Sequence, residues 1–325
     1  MKATPLPQRP IGVLSSLTTG LDAIIQSWWI ILFPLALDAL LWFGPRLSIS
    51  DLAKSMVNEY GADLGDVWGE ALLEGAQRFN ALSLLGSTPL GIPSLMAIKS
   101  PILSPLGNPL MVQVSNPSSW MLLFFAFTII GILLGGVFLG LIAQIIRDGQ
   151  SDPQRLLRLL PRYWGSMLLF ILIAMLALVG IAIPIALVLT LLSSLSSAIA
   201  ALVLWAAAIM FMWAIFQLVF VVHGMLLREE PLRDAVRHSM KIVTFSAFPT
   251  MILFLLLVGI SSGLGYIWSL PDEGSWMQLV GIGGHAIISS SLVAATFVYY
   301  QDRYRYWQEL SLILSPSNHD GDKRQ

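Results

Sequence analysis

A carboxylate and an imidazole stand inside stretches that are otherwise apolar: Asp38 within 26–44 and His285 within 277–300. Burying charge in hydrocarbon costs at least ~2.5 kcal/mol unless it is compensated, so such residues are the first candidates for function. At the helical rise, Asp38 falls about 9 Å inside Gly44 and His285 about 13 Å inside Trp276, which places both in the same half of the bilayer. An Asp–His pair there could hold a proton or orient a polar ligand. Ser289, one turn beyond His285, adds a hydroxyl, with Ser290 and Ser291 beside it and Gly281, Gly283 and Gly284 before it. The competing expectation is structural: Asp38 caps the loop or a neighbouring backbone, and His285 bonds across two helices.

Other chemistry is missing from the chain. Without cysteine there can be no disulfide, thiolate metal site or Cys nucleophile. His238 has Asp234 one turn before it, an arrangement that usually marks a solvated helix face. No histidine occurs in 46–118, and Gly281-Ile282-Gly283-Gly284 sits inside an apolar span rather than after a strand, so it lacks the setting of a phosphate loop. No metal, no cofactor and no enzymatic activity are therefore expected. There is no basic block or signature for nucleic acid.

The elements that must position Asp38 and His285 are membrane spans. The chain is 56% apolar and 11% charged, far from soluble composition. Six stretches are long enough to cross: 26–44, 120–146, 165–192, 198–227, 244–268 and 277–300. The connection after the second carries Arg147, Arg155, Arg158 and Arg162; that after the fourth carries Arg228, Arg233, Arg237 and Lys241. The connections after the third and fifth have no Lys or Arg. Lys2 and Arg9 precede the first span, and Arg303, Arg305, Lys323 and Arg324 follow the last. The excess of positive charge predicts an all-α polytopic protein of the plasma (inner) membrane with both termini cytoplasmic. The first span lacks a cleavage motif and reads as retained. The whole of 1–325 is expected to form a single membrane domain with a cytoplasmic tail at 301–325.

The spans pair as three hairpins. The second ends Ile146-Arg147-Asp148 and the fourth Leu227-Arg228-Glu229, followed by Asp152-Pro153 and Glu230-Pro231, acid–proline pairs that start helices. The segment after each pair is two-faced: Arg155, Arg158 and Arg162 oppose a row of leucines, and Arg233, Arg237 and Lys241 recur every fourth residue. Short helices of this kind lie in the interface, cations towards anionic headgroups. Ile11 to Ser27 reads as a degenerate third copy.

Glu230-Pro231-Leu232-Arg233-Asp234-Ala235-Val236-Arg237-His238-Ser239, followed by an apolar span, resembles the hairpin element of a broad bacterial six-helix family. That family includes the membrane domain found beside glycerophosphodiester phosphodiesterases. The likeness covers about 220–300 and rests on the Ala235-x-x-x-Ser239 spacing after an acid–proline entry; Met240 stands where an aromatic residue is expected. The catalytic domain has no counterpart, so the resemblance implies a membrane fold without phosphodiesterase activity.

Residues 46–118 form the one large loop, on the extracytoplasmic side: one or two amphipathic helices interrupted at Gly61 and Gly65, then a proline-rich apolar run. An ordered cap on the outer ends of the bundle is expected. Gly131, Gly135, Gly136 and Gly140, and Gly259 with Gly263, have the spacing that lets helix backbones approach. Two functions arise as expectations. One is a non-enzymatic protein that organises lipids or a membrane-protein partner through its basic helices. The other is a carrier for a small solute or lipid that uses Asp38 and His285.

Overall fold

The computed structural model describes residues 10–64, 66–86 and 90–314; Lys2, Arg9, Gly65, Pro89, Lys323 and Arg324 fall outside them. The chain is mainly helical. Among the described residues five helices are long and apolar enough to cross a membrane, and a sixth span exists if Val13–Gln26 and Trp28–Phe43, bent by 90° at their junction, are counted together. The chain divides into two compact units, one of Met1–Gly20, Leu169–Phe254 and Ala295–Gln325, the other of Leu21–Leu168 and Leu255–Ala294.

In chain order the helices are α1 (Val13–Gln26), α2 (Leu32–Phe43), α3 (Ser50–Leu64), α4 (Asp66–Arg78), α5 (Leu95–Lys99), α6 (Pro117–Asp148), α7 (Pro153–Leu195) and α8 (Ser197–Gln217). They continue as α9 (Val221–Leu227), α10 (Leu232–Phe245), α11 (Ala247–Trp268) and α12 (Gln278–Leu314). Strands β1 (Arg46–Ser48) and β2 (Met111–Gln113) pair in parallel, Leu47 opposite Val112.

Local chemistry explains the boundaries. Asn116 accepts from the Ser118 N–H at 2.9 Å ahead of Pro117, and Gly149 closes α6 with φ of 74°. Asp152 accepts from Arg155 N–H at 3.0 Å and so starts α7 as the Asp-Pro pair requires. The expected short, separate helix after that pair does not form: α7 runs unbroken from Pro153 to Leu195. Arg155, Arg158 and Arg162 are thus the first turns of a long helix. Pro161 does not end it, and the helix continues through Gly165 and Ser166. Gly61 likewise lies within α3 rather than interrupting it.

The second basic segment does form its own helix, α10, and it repairs a break. The fourth span is interrupted between Gln217 and Val221. Ser239, wholly buried, donates to the Gln217 carbonyl at 2.7 Å and accepts the Phe220 N–H at 3.1 Å. Ala235, one turn earlier, meets Gly224 so closely that a Cβ on that glycine would lie 3.2 Å from it. The Ala235-x-x-x-Ser239 spacing is thus a contact face. Ser239→Ala is expected to strand one donor and one acceptor and to cost about 2 kcal/mol, seen as a lower unfolding temperature in detergent; an unchanged temperature would remove this role.

In the second unit, Ala81–Leu85 forms a 3-10 turn and Leu90 to Lys99 follows into α5. A Cβ on Gly131 would sit 2.8 Å from the Leu84 carbonyl oxygen, and one on Gly135 would overlap the carbonyl oxygen of Leu90. These two glycines straddle the midpoint of α6 between Trp120 and Arg147. The loop therefore reaches halfway along α6 instead of stopping at the end of the helices. The glycines admit its backbone, not a partner helix. Among the described residues, Gly259 and Gly263 have no atom from outside their own helical turn within 4 Å of an added Cβ.

Candidate functional site

Asp38 is 0% exposed on α2, and its carboxylate is fully engaged. It accepts from the Ser94 hydroxyl, from Met96 N–H at 2.9 Å and from Leu95 N–H at 3.3 Å. Ser94 in turn accepts the Ala97 N–H at 2.9 Å. Carboxylate and hydroxyl together satisfy the free amides at the start of α5, as a helix N-terminus demands.

The other end of α5 is held as firmly. The Lys99 ammonium donates to the Ser269 carbonyl at 3.1 Å, the Pro271 carbonyl at 2.7 Å and the Gln278 Oε1 at 2.7 Å. An ammonium has three N–H groups, so all are used. Burial pulls its pKa below the usual lysine value, against the opposing pull of Glu273 and Asp272. Arg46, 1% exposed, donates to the carbonyls of Pro101 at 2.8 Å and Arg78 at 2.7 Å, closing the last turn of α4. Sequence reasoning passed over Lys99, Arg46 and Ser94. The signal was there: Arg46 and Lys99 are cations in the loop that the charge rule leaves poor in them.

His285 lies elsewhere. It is 7% exposed, and its Nε2 is buried without a hydrogen-bond partner. The ring borders a groove of about 480 Å3 between α5, α11 and α12, whose polar lining includes Lys99, Ser261, Ser262 and Ser269. A small cleft that shares His285 with it is bounded by Ser289 and Trp268. Ser289 donates to the His285 carbonyl at 2.6 Å, an ordinary helical back-bond. Gly281 and Gly284 leave room for Trp268, whose carbonyl and ring would collide with any Cβ there. Asp38 and His285 make no hydrogen bond to each other: the carboxylate's donors are on α5 and the residue before it.

The basic residues are distributed unevenly. Arg155 lies 3.7 Å from Asp148, Arg158 approaches the Gln154 carbonyl, and Arg162 belongs to the same helix. In the first unit, exposed Arg233 and Arg237 lead along α10 to Lys241, whose ammonium lies 5.2 Å above the Trp307 ring. Met240, Lys241, Thr244, Phe245 and Trp307 line a groove of about 430 Å3. His238 does not pair with Asp234; its Nδ1 meets Glu230 at 2.9 Å, Glu230 holds Arg228 at 2.6 Å, and Arg228 stacks 3.6 Å over Tyr304. Asp234 faces Arg237 at 3.8 Å instead. This network fixes the end of α12 against α10.

Among the described residues no group of three or more His, Cys, Asp or Glu side chains is placed to hold a metal ion. Among the described residues five helices, or six with the bent pair, are long and apolar enough to cross a membrane, which is consistent with a multi-pass α-helical membrane protein. Compared with family models, with curated proteins and with solved structures, the chain matches none.

Proposed function

We propose that the protein resides in the plasma (inner) membrane with both termini cytoplasmic and organises anionic lipid at that face, without catalysing a reaction. The observation that carries this reading is the groove of Met240, Phe245 and Trp307 with Lys241 at its rim. Its apolar floor suits the glycerol and upper acyl region of a phospholipid, and its ammonium suits the phosphate. Arg233 and Arg237 extend the cationic line along α10, with Arg155, Arg158 and Arg162 as a second set on α7. A membrane-protein partner remains within the same reading, docking through the lipid it gathers. The likeness of 220–300 to the membrane domain of the phosphodiesterase-associated family belongs to this proposal as fold only.

Each cation near an anionic surface contributes about 1 kcal/mol, so Arg233→Glu/Arg237→Glu/Lys241→Glu is expected to lower phosphatidylglycerol retention by roughly a hundredfold. Native mass spectrometry from mixed phosphatidylcholine–phosphatidylglycerol nanodiscs reads this directly. Equal retention by the variant and the parent would overturn the proposal.

A carrier is the second reading, and one observation favours it: backbone outside any α-helix, at Leu84, Leu85, Leu90 and Gly91, held at the middle of α6. At membrane depth such backbone is tolerated only where protein buries it or a cavity is lined by it. Asp38, spent on α5, would then be part of the frame and not of a proton relay.

A further inference from the structure

The groove beside His285 has a composition that selects its ligand. Its one full charge among the described residues, Lys99, has no N–H left to offer, because two carbonyls and an amide oxygen take all three. Among the described residues no carboxylate or guanidinium lines it. An anionic head would find no free cation there and a cationic head no carboxylate, and an unpaired charge is costly to bury.

What remains is neutral hydrogen-bonding capacity. Ser261 and Ser262 are exposed on α11, a helix that otherwise turns Leu255, Val258 and Tyr266 outward, the last 70% exposed. His285 borders the groove with a ring that is 7% exposed, while its Nε2 is buried out of the groove's reach and has no partner. Hydroxyls on an apolar outer face, next to a mainly apolar cleft bordered by an imidazole, form an amphipathic slot. A volume of about 480 Å3 lies within the range of small-molecule sites.

We propose that this groove binds an uncharged lipid whose head carries hydroxyl or carbonyl groups, of the diacylglycerol class, with the head against His285 and Ser262 and the chains along the outer face of α11. The site is separate from the cationic groove of α10 and does not depend on it.

The probe is a diazirine-bearing diacylglycerol in phosphatidylcholine nanodiscs, with photolabelled peptides mapped by mass spectrometry. Label is expected on 261–269 and 278–292, falling about fivefold in His285→Phe, which keeps an aromatic side chain and removes the ring nitrogens. Ser262→Leu, a change on an exposed helix face, keeps the fold and blocks the slot, so it should lose the label as well. A diazirine-bearing phosphatidylglycerol should label these peptides weakly. Equal labelling of parent and both variants, or equal labelling by the anionic probe, would overturn the proposal. Equal phosphatidylglycerol retention by the α10 variant and its parent, with this label intact, would count against the proposed function alone.

Discussion

Gly135→Ala is expected to dislodge the loop around Leu90 from α6 and to cost about 3 kcal/mol, at the upper end of what overpacking a filled site does. The added methyl has no flexible neighbour to push aside, since the atom in its way is a backbone carbonyl oxygen. Thermal unfolding in detergent should show the loss, and limited proteolysis should open the chain near 84–92. Gly259→Ala and Gly263→Ala provide the opposite arm. Nothing lies near either position, so both should leave stability unchanged or raise it by about 0.5 kcal/mol through helix propensity. If all three variants behaved alike, the glycines of α6 would not be receiving the loop.

Asp38→Leu should be nearly as severe. Three donors, the Ser94 hydroxyl and the amides of Leu95 and Met96, would be left buried without an acceptor. A penalty of about 3 kcal/mol is expected, and with it roughly a hundredfold faster hydrogen exchange at those two amides. Asp38→Asn keeps one acceptor oxygen and should fall between the parent and the leucine variant. Exchange confined to its parental rate in both variants would mean that the cap does not hold α5. A proton relay makes a different forecast: Asp38→Asn would disable it while leaving exchange at α5 untouched.

These two sites also mark how far the sequence could be read. Five of the six expected spans were legible because apolar length is a local signal; 26–44 was not, since the chain bends by 90° before Trp28 and leaves α2 short. The start of α7 was legible too, since Asp152-Pro153 carries its own capping chemistry. Depth was not. The run from Leu84 to Lys99 is apolar and broken by prolines, which says that it packs but not where. Gly131 and Gly135 have the spacing of a helix seam, and nothing in that spacing distinguishes a helix from a loop as the guest. Asp38 was singled out for being a charge in an apolar stretch, but its partners lie 56 to 58 residues away, beyond the reach of any periodicity. His238 misled for the same reason: Asp234 is the nearer acid along α10, whereas Glu230 is the one brought to it in space. Pattern identifies a residue in need of a partner, and only the fold supplies the partner.

The repaired break in the fourth span has a consequence for how the chain is made. Ser239 lies 22 residues beyond Gln217, so the span is complete in sequence before its repair has been synthesised. A growing chain must therefore present the Gln217 carbonyl and the Phe220 N–H to lipid, or hold them at the translocation machinery, until α10 emerges. Insertion of the fourth span and folding of α10 become one event, and a stop in synthesis between them yields a segment that is hydrophobic enough to enter the membrane but not yet fit to stay there.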